Sequence, residues 1–281
     1  MASDTPPTAP PAPVALDPDG FNELRRCRSG PMLYNKHDIY VGGSLRHYAE
    51  FSVSEQAAFS QLVRPDTIAV EVGANIGGHT VHLSRLVGEG GEVHAFEPQR
   101  IPFQTLCANL ALNQCRNVFA RQTAVGARVD TILVPALDPA LRENFGGISL
   151  HGVEVGEPVP LVTLDSLDLP ACHFLKADVE GMEVDVLKGA LQTIDMYRPM
   201  LYLENDRDDR SEELLSLVMG LDYAVFWHIA PLFNPDNFAR EPNDVFGGIV
   251  SINILCVPNE NPMSIEGLPR VQSPTDSWRK R

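Results

Sequence analysis

The sequence predicts an α/β fold: a seven-stranded, mostly parallel sheet with helices on both faces and a small β insertion. Short apolar segments alternate with segments of helical periodicity through residues 65–258, as expected when each strand is followed by a helix. Three of the apolar segments end in an acidic residue, at Glu97, Asp178 and Glu204. Because the carboxyl ends of parallel strands meet at one edge of a sheet, ligands are expected at that edge.

The first predicted strand, 68–73, and the first helix, 78–87, enclose a glycine-rich turn. The second strand, 92–97, ends in Glu97 and is followed by Pro98. Such a strand, turn, helix and strand present backbone amides and carboxylates to a nucleoside-bearing ligand at the sheet edge.

The remaining elements follow from the same patterns. Strands are predicted at 118–125, 174–177, 199–203, 223–229 and 251–257. Helices are predicted at 102–113, 183–190 and 211–218. Residues 128–164 lack helical spacing and are rich in glycine and proline, so short antiparallel strands are predicted between the third and fourth strands.

The flanking segments divide the chain further. Residues 1–22 are rich in alanine and proline and are predicted to be a disordered tail. Residues 23–64 are predicted to form an N-terminal lid, with a hairpin at 31–42 and a largely helical segment at 44–63 that is broken near Ser52. The main domain is predicted to span 65–258, and a C-terminal tail 259–281.

The spacing of the glycines separates two candidate cofactors. A dinucleotide-binding turn requires glycines at its first, third and sixth positions, but Asn75 occupies the third position counted from Gly73. The alternative pattern, Glu-x-Gly-x-x-x-Gly, is met by Glu71, Gly73 and Gly77, and it resembles the nucleotide loop of class I S-adenosyl-L-methionine methyltransferases. A glycine turn in an unrelated α/β protein is the third interpretation.

Because Asn75 disfavours the dinucleotide pattern, the sequence favours S-adenosyl-L-methionine as the cofactor. This cofactor implies specific contacts. Glu97 is predicted to accept hydrogen bonds from both ribose hydroxyls, and Glu71 to lie near the methionine ammonium. The loop residues Gly73, Asn75 and Gly77 are predicted to contact the cofactor. Ala124 and Val125 fall where backbone atoms usually hold the adenine edge.

Composition narrows the class of protein. The net charge of −15 and the pI near 4.9 argue against a nucleic-acid partner, because phosphate binding needs clustered Lys and Arg. The five cysteines are scattered without metal-ligand spacing, and no apolar run is long enough to cross a bilayer. These features favour a cytoplasmic enzyme that acts on a small molecule without a membrane partner, and they leave the oligomeric state undetermined.

Four segments of the chain resemble the FkbM family of S-adenosyl-L-methionine-dependent methyltransferases. They are Glu-Val-Gly-Ala-Asn-Ile-Gly at 71–77, Ala-Phe-Glu-Pro at 95–98, Thr-Leu-Asp-Ser-Leu at 163–167, and the segment 175–189 with its Asp-Val-Glu-Gly sequence. The resemblance implies a Rossmann-like class I methyltransferase fold and O-methylation of a hydroxylated small metabolite or saccharide. It does not imply which acceptor is methylated.

Candidates for the acceptor chemistry lie at the ends of the later strands. A hydroxyl is a poor nucleophile until a base removes its proton or a metal binds it, and Asp178 and His228 are the predicted bases. Asp178, Glu204 and Asn205 together resemble the Mg²⁺ site of catechol-type O-methyltransferases. The competing interpretations are helix-capping by Asp178 and solvation of Glu204 in a loop.

Two other classes of function remain open from the sequence. An NAD-dependent oxidoreductase would use the same fold, although Asn75 argues against it. A non-catalytic binding domain could also retain a methyltransferase fold.

Overall fold

The computed structural model describes residues 9–150, 152–261 and 263–280. In chain order the strands are β1 Val14–Ala15, β2 Asn22–Cys27, β3 Gly30–Asn35, β4 Ile68–Val72, β5 Glu92–Phe96, β6 Val118–Arg121, β7 Ala124–Val125, β8 Asp130–Val134, β9 Glu157–Val162, β10 Phe174–Ala177, β11 Met200–Glu204, β12 Tyr223–Pro231 and β13 Val250–Pro258. The α-helices are α1 Val41–Tyr48, α2 Val53–Leu62, α3 Thr80–Val87, α4 Arg100–Leu112, α5 Glu183–Lys188, α6 Leu191–Tyr197 and α7 Asp208–Gly220. None of the described helices is long and apolar enough to cross a membrane.

The central sheet has seven strands in the order β12-β13-β11-β10-β4-β5-β6. Strands β11, β10, β4, β5 and β6 pair in parallel, and β13 is antiparallel to both of its neighbours. This arrangement confirms the predicted seven-stranded, mostly parallel sheet. The order places the carboxyl ends of β4 and β10 at its centre.

Helices cover both faces of the sheet, as predicted. On one face the side chains of Val70, Leu175 and Leu201 pack in a core that includes residues of α5, α6 and α7. On the other face Ala69 and Phe174 pack with Phe59 of α2 and with residues of α3. Strands β4 and β10 are buried almost throughout because both of their faces are covered, which explains their nearly continuous apolar sequences.

The third predicted strand, 118–125, is divided between two sheets. Strand β6 pairs with β5, whereas β7 pairs in parallel with β9. A turn in which the amide of Thr123 donates to the carbonyl of Arg121 separates them. Strand β8 completes a small sheet by pairing antiparallel to β9, so the predicted β insertion is present and recruits residues 124–125 from the main strand.

The N-terminal segment differs in detail from its prediction. The hairpin is formed by β2 and β3, earlier than 31–42, and the buried side of β2 carries Glu23 and Arg25 beside Cys27. Because these charged side chains occupy the buried positions, β2 lacks the alternating apolar pattern by which a strand is predicted from sequence. Residues 14–15 pair with β2, although no regular structure was predicted there, and residues 1–8 lie outside the described part of the chain.

Two helices form between 41 and 62, separated at Ser52 as predicted. Ser52 has a left-handed backbone with φ of +45°, which lets the chain change direction between α1 and α2. After this change of direction α2 packs on one face of the central sheet through Phe59, whereas α1 packs against β3.

Candidate active site

A cavity of about 330 Å³ opens at the carboxyl edge of the central strands. The glycine turn after β4 and the tips of β5, β10 and β11 form its floor, and the insertion and the β12–β13 loop, residues 232–249, form its walls. Residues that line it include Glu71, Gly73, Asn75, His79, Glu97, Gln99, Lys176, Asp178, Glu180, Glu204 and Arg207. The prediction that these strand ends share one edge is confirmed by this arrangement.

The glycine turn requires its glycines for two reasons. Gly73 and Gly77 have φ of +82° and +88°, a backbone region that favours glycine. A Cβ on Gly73 would lie 1.8 Å from the carbonyl oxygen of Asp178, so the turn packs directly against the end of β10. Asn75 has a left-handed backbone as well, with φ of +49°, and its buried Oδ1 has no hydrogen-bond partner among the described residues.

Glu97 is fixed at the tip of β5 by two backbone amides. Its Oε2 accepts from the amide of Asn75 and its Oε1 from the amide of Gln99, each at 2.8 Å. Burial raises the pKa of Glu97 to about 7 despite these two bonds. A carboxylate held in this way can still accept a hydrogen bond at each oxygen, which is the geometry that a pair of ribose hydroxyls requires.

Four charged side chains, those of Lys176, Asp178, Glu71 and Glu55, interact beneath the turn. Lys176 is 2% exposed, and its Nζ donates to Oδ2 of Asp178 at 3.1 Å. Burial opposes its charge, but Asp178, Glu71 and Glu55 hold the pKa of Lys176 above its usual value. Glu71 accepts a 2.6 Å hydrogen bond from Oγ1 of Thr80, and burial raises its pKa.

An acidic cluster occupies the other end of the cavity. Asp178, Glu180 and Glu204 each place one carboxylate oxygen within 4.8 Å of the others. Burial and the nearby Asp178 raise the pKa of Glu180 to about 7, while its ion pair with Arg207 lowers it. The same causes raise the pKa of Glu204 well above its usual value, and its buried Oε2 has no hydrogen-bond partner among the described residues.

The structure brings together only part of the predicted metal set. Asp178 and Glu204 are in the acidic cluster, but the third carboxylate is Glu180, and Asn205 does not line the cavity. Asn205 extends the β11 ladder by donating its amide to the carbonyl of Ile252, so its side chain points opposite to that of Glu204.

His228 is placed away from the cavity. It lies in the middle of β12, three residues before the strand ends, and faces α2. Its Nδ1 is 2.7 Å from the hydroxyl of Tyr202 and its Nε2 is 3.2 Å from Oγ of Ser54, so both ring nitrogens have partners. Burial lowers the pKa of His228, and the ring lines a separate groove beside α2.

Ala124 and Val125 do not line the cavity either. Both are buried in β7, where they pair with Leu161 and Val162 of β9. Residues 144–150 of the insertion reach the cavity, and Nε2 of Gln99 donates to the carbonyl of Phe145. Ala124 and Val125 therefore lie outside the cavity, and the adenine contact predicted for them stays a prediction.

The aromatic residues of the N-terminal segment contact the β12–β13 loop. The Tyr48 ring lies 5.3 Å from that of Phe233 and 5.6 Å from that of Phe246. The Tyr48 hydroxyl donates to the carbonyl of Asn243 and accepts from the amide of Val245. Tyr40 lines the cavity itself, so the N-terminal segment and the loop together form one wall.

Sequence reasoning missed several residues of the site. Lys176 could have been predicted from the sequence, because a lysine inside the apolar segment 174–177 must have a charged partner if the strand is buried. Gln99 and His79 follow the acid and the glycine turn directly, but nothing in the sequence indicated which way their side chains point. Glu55 lies more than a hundred residues from β10 and could not be assigned to Lys176 without the fold.

The fold and this site define a class of protein. A sheet of this order with one antiparallel strand, a glycine turn after β4 and a buried acid after β5 is the Rossmann-like fold of class I methyltransferases. Residues 71–223, just over half of the chain, match the family described as "Methyltransferase FkbM domain". The chain therefore belongs to the FkbM family of methyltransferases.

Individual relatives are more distant. "Methyltransferase 1" of Beauveria bassiana (strain ARSEF 2860) is 26% identical, with 44% of this chain and 58% of that protein covered. "31-O-demethyl-FK506 methyltransferase FkbM" of Streptomyces tacrolimicus is 27% identical, covering 61% of this chain and 78% of that protein. The crystal structure of methyltransferase FkbM from Methylobacillus flagellatus KT is 21% identical with a TM-score of 0.43, covering 72% of this chain and 50% of that one. The chain thus spans less than two thirds of the length of two of these three proteins.

Proposed function

We propose that this protein transfers a methyl group from S-adenosyl-L-methionine to a hydroxyl group of a small metabolite or saccharide. The observation that carries the proposal is the division of one cavity into two chemically different ends. One end has the glycine turn and Glu97, and the other has the acidic cluster of Asp178, Glu180 and Glu204.

The first end fits an uncharged ribose and a cationic group better than a diphosphate. Asn75 replaces the third glycine of a dinucleotide turn, and its side chain lies so close to the insertion that a Cβ on Gly146 would be 2.7 Å from Nδ2. Carboxylates of Glu71 and Glu97 line this end, and Asp178 lies at its border with the acidic cluster, so negative charge disfavours phosphate groups there. The buried, unpartnered Oδ1 of Asn75 and Oε1 of Gln99 would accept hydrogen bonds from the nucleoside.

The second end supports removal of a proton from a hydroxyl. When bound, S-adenosyl-L-methionine supplies an electrophilic methyl group on its sulfonium. Glu180, with its pKa raised to about 7, is suited to accept the proton of the acceptor hydroxyl near neutral pH. Arg207, paired with Glu180, keeps that carboxylate in place. Asp178 contributes negative charge but is already paired with Lys176.

The acceptor is proposed to carry both hydroxyl and apolar groups. Side chains of Ile148, Leu150, Leu232 and Ile249 line the cavity together with Tyr40. The relative from Streptomyces tacrolimicus is named "31-O-demethyl-FK506 methyltransferase FkbM", and a substrate named for a methyl group missing from an oxygen supports a hydroxyl as the acceptor group.

A divalent cation such as Mg²⁺ is the second candidate for activating the hydroxyl. The three converging carboxylates and the unpartnered Oε2 of Glu204 fit a hard cation, which prefers oxygen ligands. It would act there as a Lewis acid that lowers the pKa of the acceptor hydroxyl. Activity that survives exhaustive chelation would exclude the metal from the mechanism, whereas activity restored only by added Mg²⁺ would assign activation of the hydroxyl to the metal, with the proton passing to a carboxylate or to water.

Ligand-induced stabilisation tests the proposed function against its rivals. We expect S-adenosylhomocysteine to raise Tm and NAD to leave it unchanged, because a ligand that binds only the folded state stabilises it. Stabilisation by NAD alone would contradict the proposal. Binding of S-adenosylhomocysteine without methyl transfer to any hydroxylated acceptor from a labelled donor would favour the non-catalytic binding domain.

A further inference from the structure

His79 and Glu55 form a buried pair that the proposed transfer reaction does not yet use. His79 directly follows the glycine turn, lines the cavity and is 5% exposed. Its Nε2 lies 2.9 Å from Oε2 of Glu55, which is 3% exposed. Its Nδ1 is also buried and has no hydrogen-bond partner among the described residues.

Two aromatic rings and the Glu55 carboxylate hold the His79 ring in place. The rings of Phe51 and Phe59 lie 5.3 Å and 5.2 Å from it. Glu55 is itself held through Oε1, which accepts from Nδ2 of Asn253 at 2.9 Å. Burial would raise the pKa of Glu55, but the hydrogen bond and charge of His79 and the charge of Lys176 lower it to about 2. Glu55 is therefore an anion that fixes Nε2 of the ring, and Nδ1 is the ring nitrogen that has no hydrogen-bond partner among the described residues.

The charges around the cavity indicate which ligand group Nδ1 of His79 can bind. The methionine part of S-adenosyl-L-methionine carries an ammonium and a carboxylate. Glu71 and Asp178 suit the ammonium. Among the described residues of the cavity, Lys176 is already bound to Asp178 and Arg207 to Glu180. His79 is the third side chain there that can carry positive charge, and when protonated it has an N–H group, at Nδ1, beyond the one bound to Glu55.

We infer that His79, oriented by Glu55, binds the carboxylate of the methionine moiety and so positions the cofactor. An imidazolium that donates Nε2–H to Glu55 has a second donor, Nδ1–H, on a residue that lines the cavity. His79 also immediately precedes α3, so the positive end of that helix dipole favours an anion at the same place. This assignment rests on the proposed function, because it requires S-adenosyl-L-methionine as the ligand.

Two ligands that differ only in the carboxylate test this role. We expect His79→Phe, which preserves the ring contacts, to weaken binding of S-adenosyl-L-methionine by about 10- to 100-fold in calorimetry, the loss typical of a charged hydrogen bond. Binding of decarboxylated S-adenosyl-L-methionine should change less than about twofold, since the lost contact is absent from it. Glu55→Gln should likewise weaken binding of S-adenosyl-L-methionine but not of the decarboxylated form. This second variant replaces His79→Phe in the test if His79→Phe does not fold.

A matched control is available in α3, the helix that begins directly after His79. His82 hydrogen-bonds Ser60 and the carbonyl of Gln56 and does not line the cavity. His82→Phe should therefore leave the affinity for both ligands unchanged.

Each other outcome overturns the assignment. Equal weakening of both ligands by His79→Phe would mean that His79 binds the ammonium or only supports the fold, and no weakening of either would mean that it binds neither. If the wild-type protein binds neither ligand, the proposed function fails as well, and this result is distinct from a wild type that binds both with a variant that does not discriminate.

Discussion

At the scale of single residues, the site depends on carboxylates that are buried beyond what their charge would ordinarily allow. Glu97 is 3% exposed and Glu71 is 1% exposed, and both have raised pKa values because burial disfavours the anion. Backbone amides offset part of this cost at Glu97, and Thr80 and Lys176 offset it at Glu71. Groups shifted in this way are concentrated around one cavity, as is typical of functional sites.

The pH dependence of the reaction tests the role of Glu180. The base must be ionised to accept a proton, and burial raises its pKa to about 7, so kcat should fall as the pH is lowered through that value. Glu180→Gln should lower kcat by about 10²- to 10⁴-fold and remove this pH limb.

The matched control for Glu180 is Glu157→Gln, which changes a partly exposed glutamate outside the cavity that pairs with Arg100. It should leave both kcat and the pH profile unchanged. A Glu180→Gln variant that keeps the wild-type limb near pH 7 would exclude Glu180 as the base.

At the scale of secondary-structure elements, the turn after β4 and the end of β10 are built against each other. Gly73 has no side chain because the Asp178 carbonyl occupies the space that a Cβ would need. In the proposed function, the same contact brings the cofactor end of the cavity beside Asp178, which belongs to the acceptor end. The close approach of two backbones therefore determines the distance between the two ends.

A pair of glycine substitutions measures this contact. Gly73 and Gly88 both have positive φ, and a Cβ on Gly88 would meet nothing within 4 Å. Each alanine variant should lose about 1–3 kcal/mol of unfolding free energy from backbone strain. Gly73→Ala should lose more in chemical denaturation, because it must also displace the Asp178 carbonyl, and equal losses would contradict the close packing.

The contact between α1 and the β12–β13 loop gives a second prediction at this scale. Tyr48→Phe removes the hydroxyl that bonds Asn243 and Val245, at a cost of about 1 kcal/mol, and loosens a loop that lines the cavity. KM for the acceptor should rise while the affinity for S-adenosylhomocysteine stays constant.

Tyr197→Phe is the control for the loop, because it also removes one hydroxyl bond, to the carbonyl of Leu169, but lies outside the cavity. Its KM should match the wild type. A Tyr48→Phe variant with unchanged acceptor KM would show that the loop does not depend on this contact.

At the scale of the whole molecule, the sequence was sufficient to predict the seven strands of the central sheet and the edge of the sheet at which the cavity opens. Local patterns were enough there, because buried parallel strands are apolar and acids at their ends are easily recognised. Residues 124–125 were predicted as the end of the third strand of the central sheet, but they pair with β9 in the small sheet. Sequence patterns did not indicate this pairing, because β9 is more than thirty residues away along the chain. His228 was assigned to the strand end because the length of β12 could not be read from the sequence.

Buried polar side chains were the least predictable part of the molecule. Glu55, His79 and Lys176 lie on three different elements, and only the packing of α2 and α3 on the sheet brings them together. Pairing of charges across such distances in sequence leaves no local pattern. The sequence thus predicts where the site lies better than which side chains meet there.

The measurement that tests the central claim most directly is calorimetric titration with S-adenosylhomocysteine. The wild-type protein should bind it, and Glu97→Ala should bind it about 10- to 100-fold more weakly, since a charged acceptor for the ribose hydroxyls is lost. Glu89→Ala, which changes an exposed glutamate outside the cavity, should bind like the wild type. Absence of heat with the wild type, or equal affinities of the wild type and Glu97→Ala, would contradict the account.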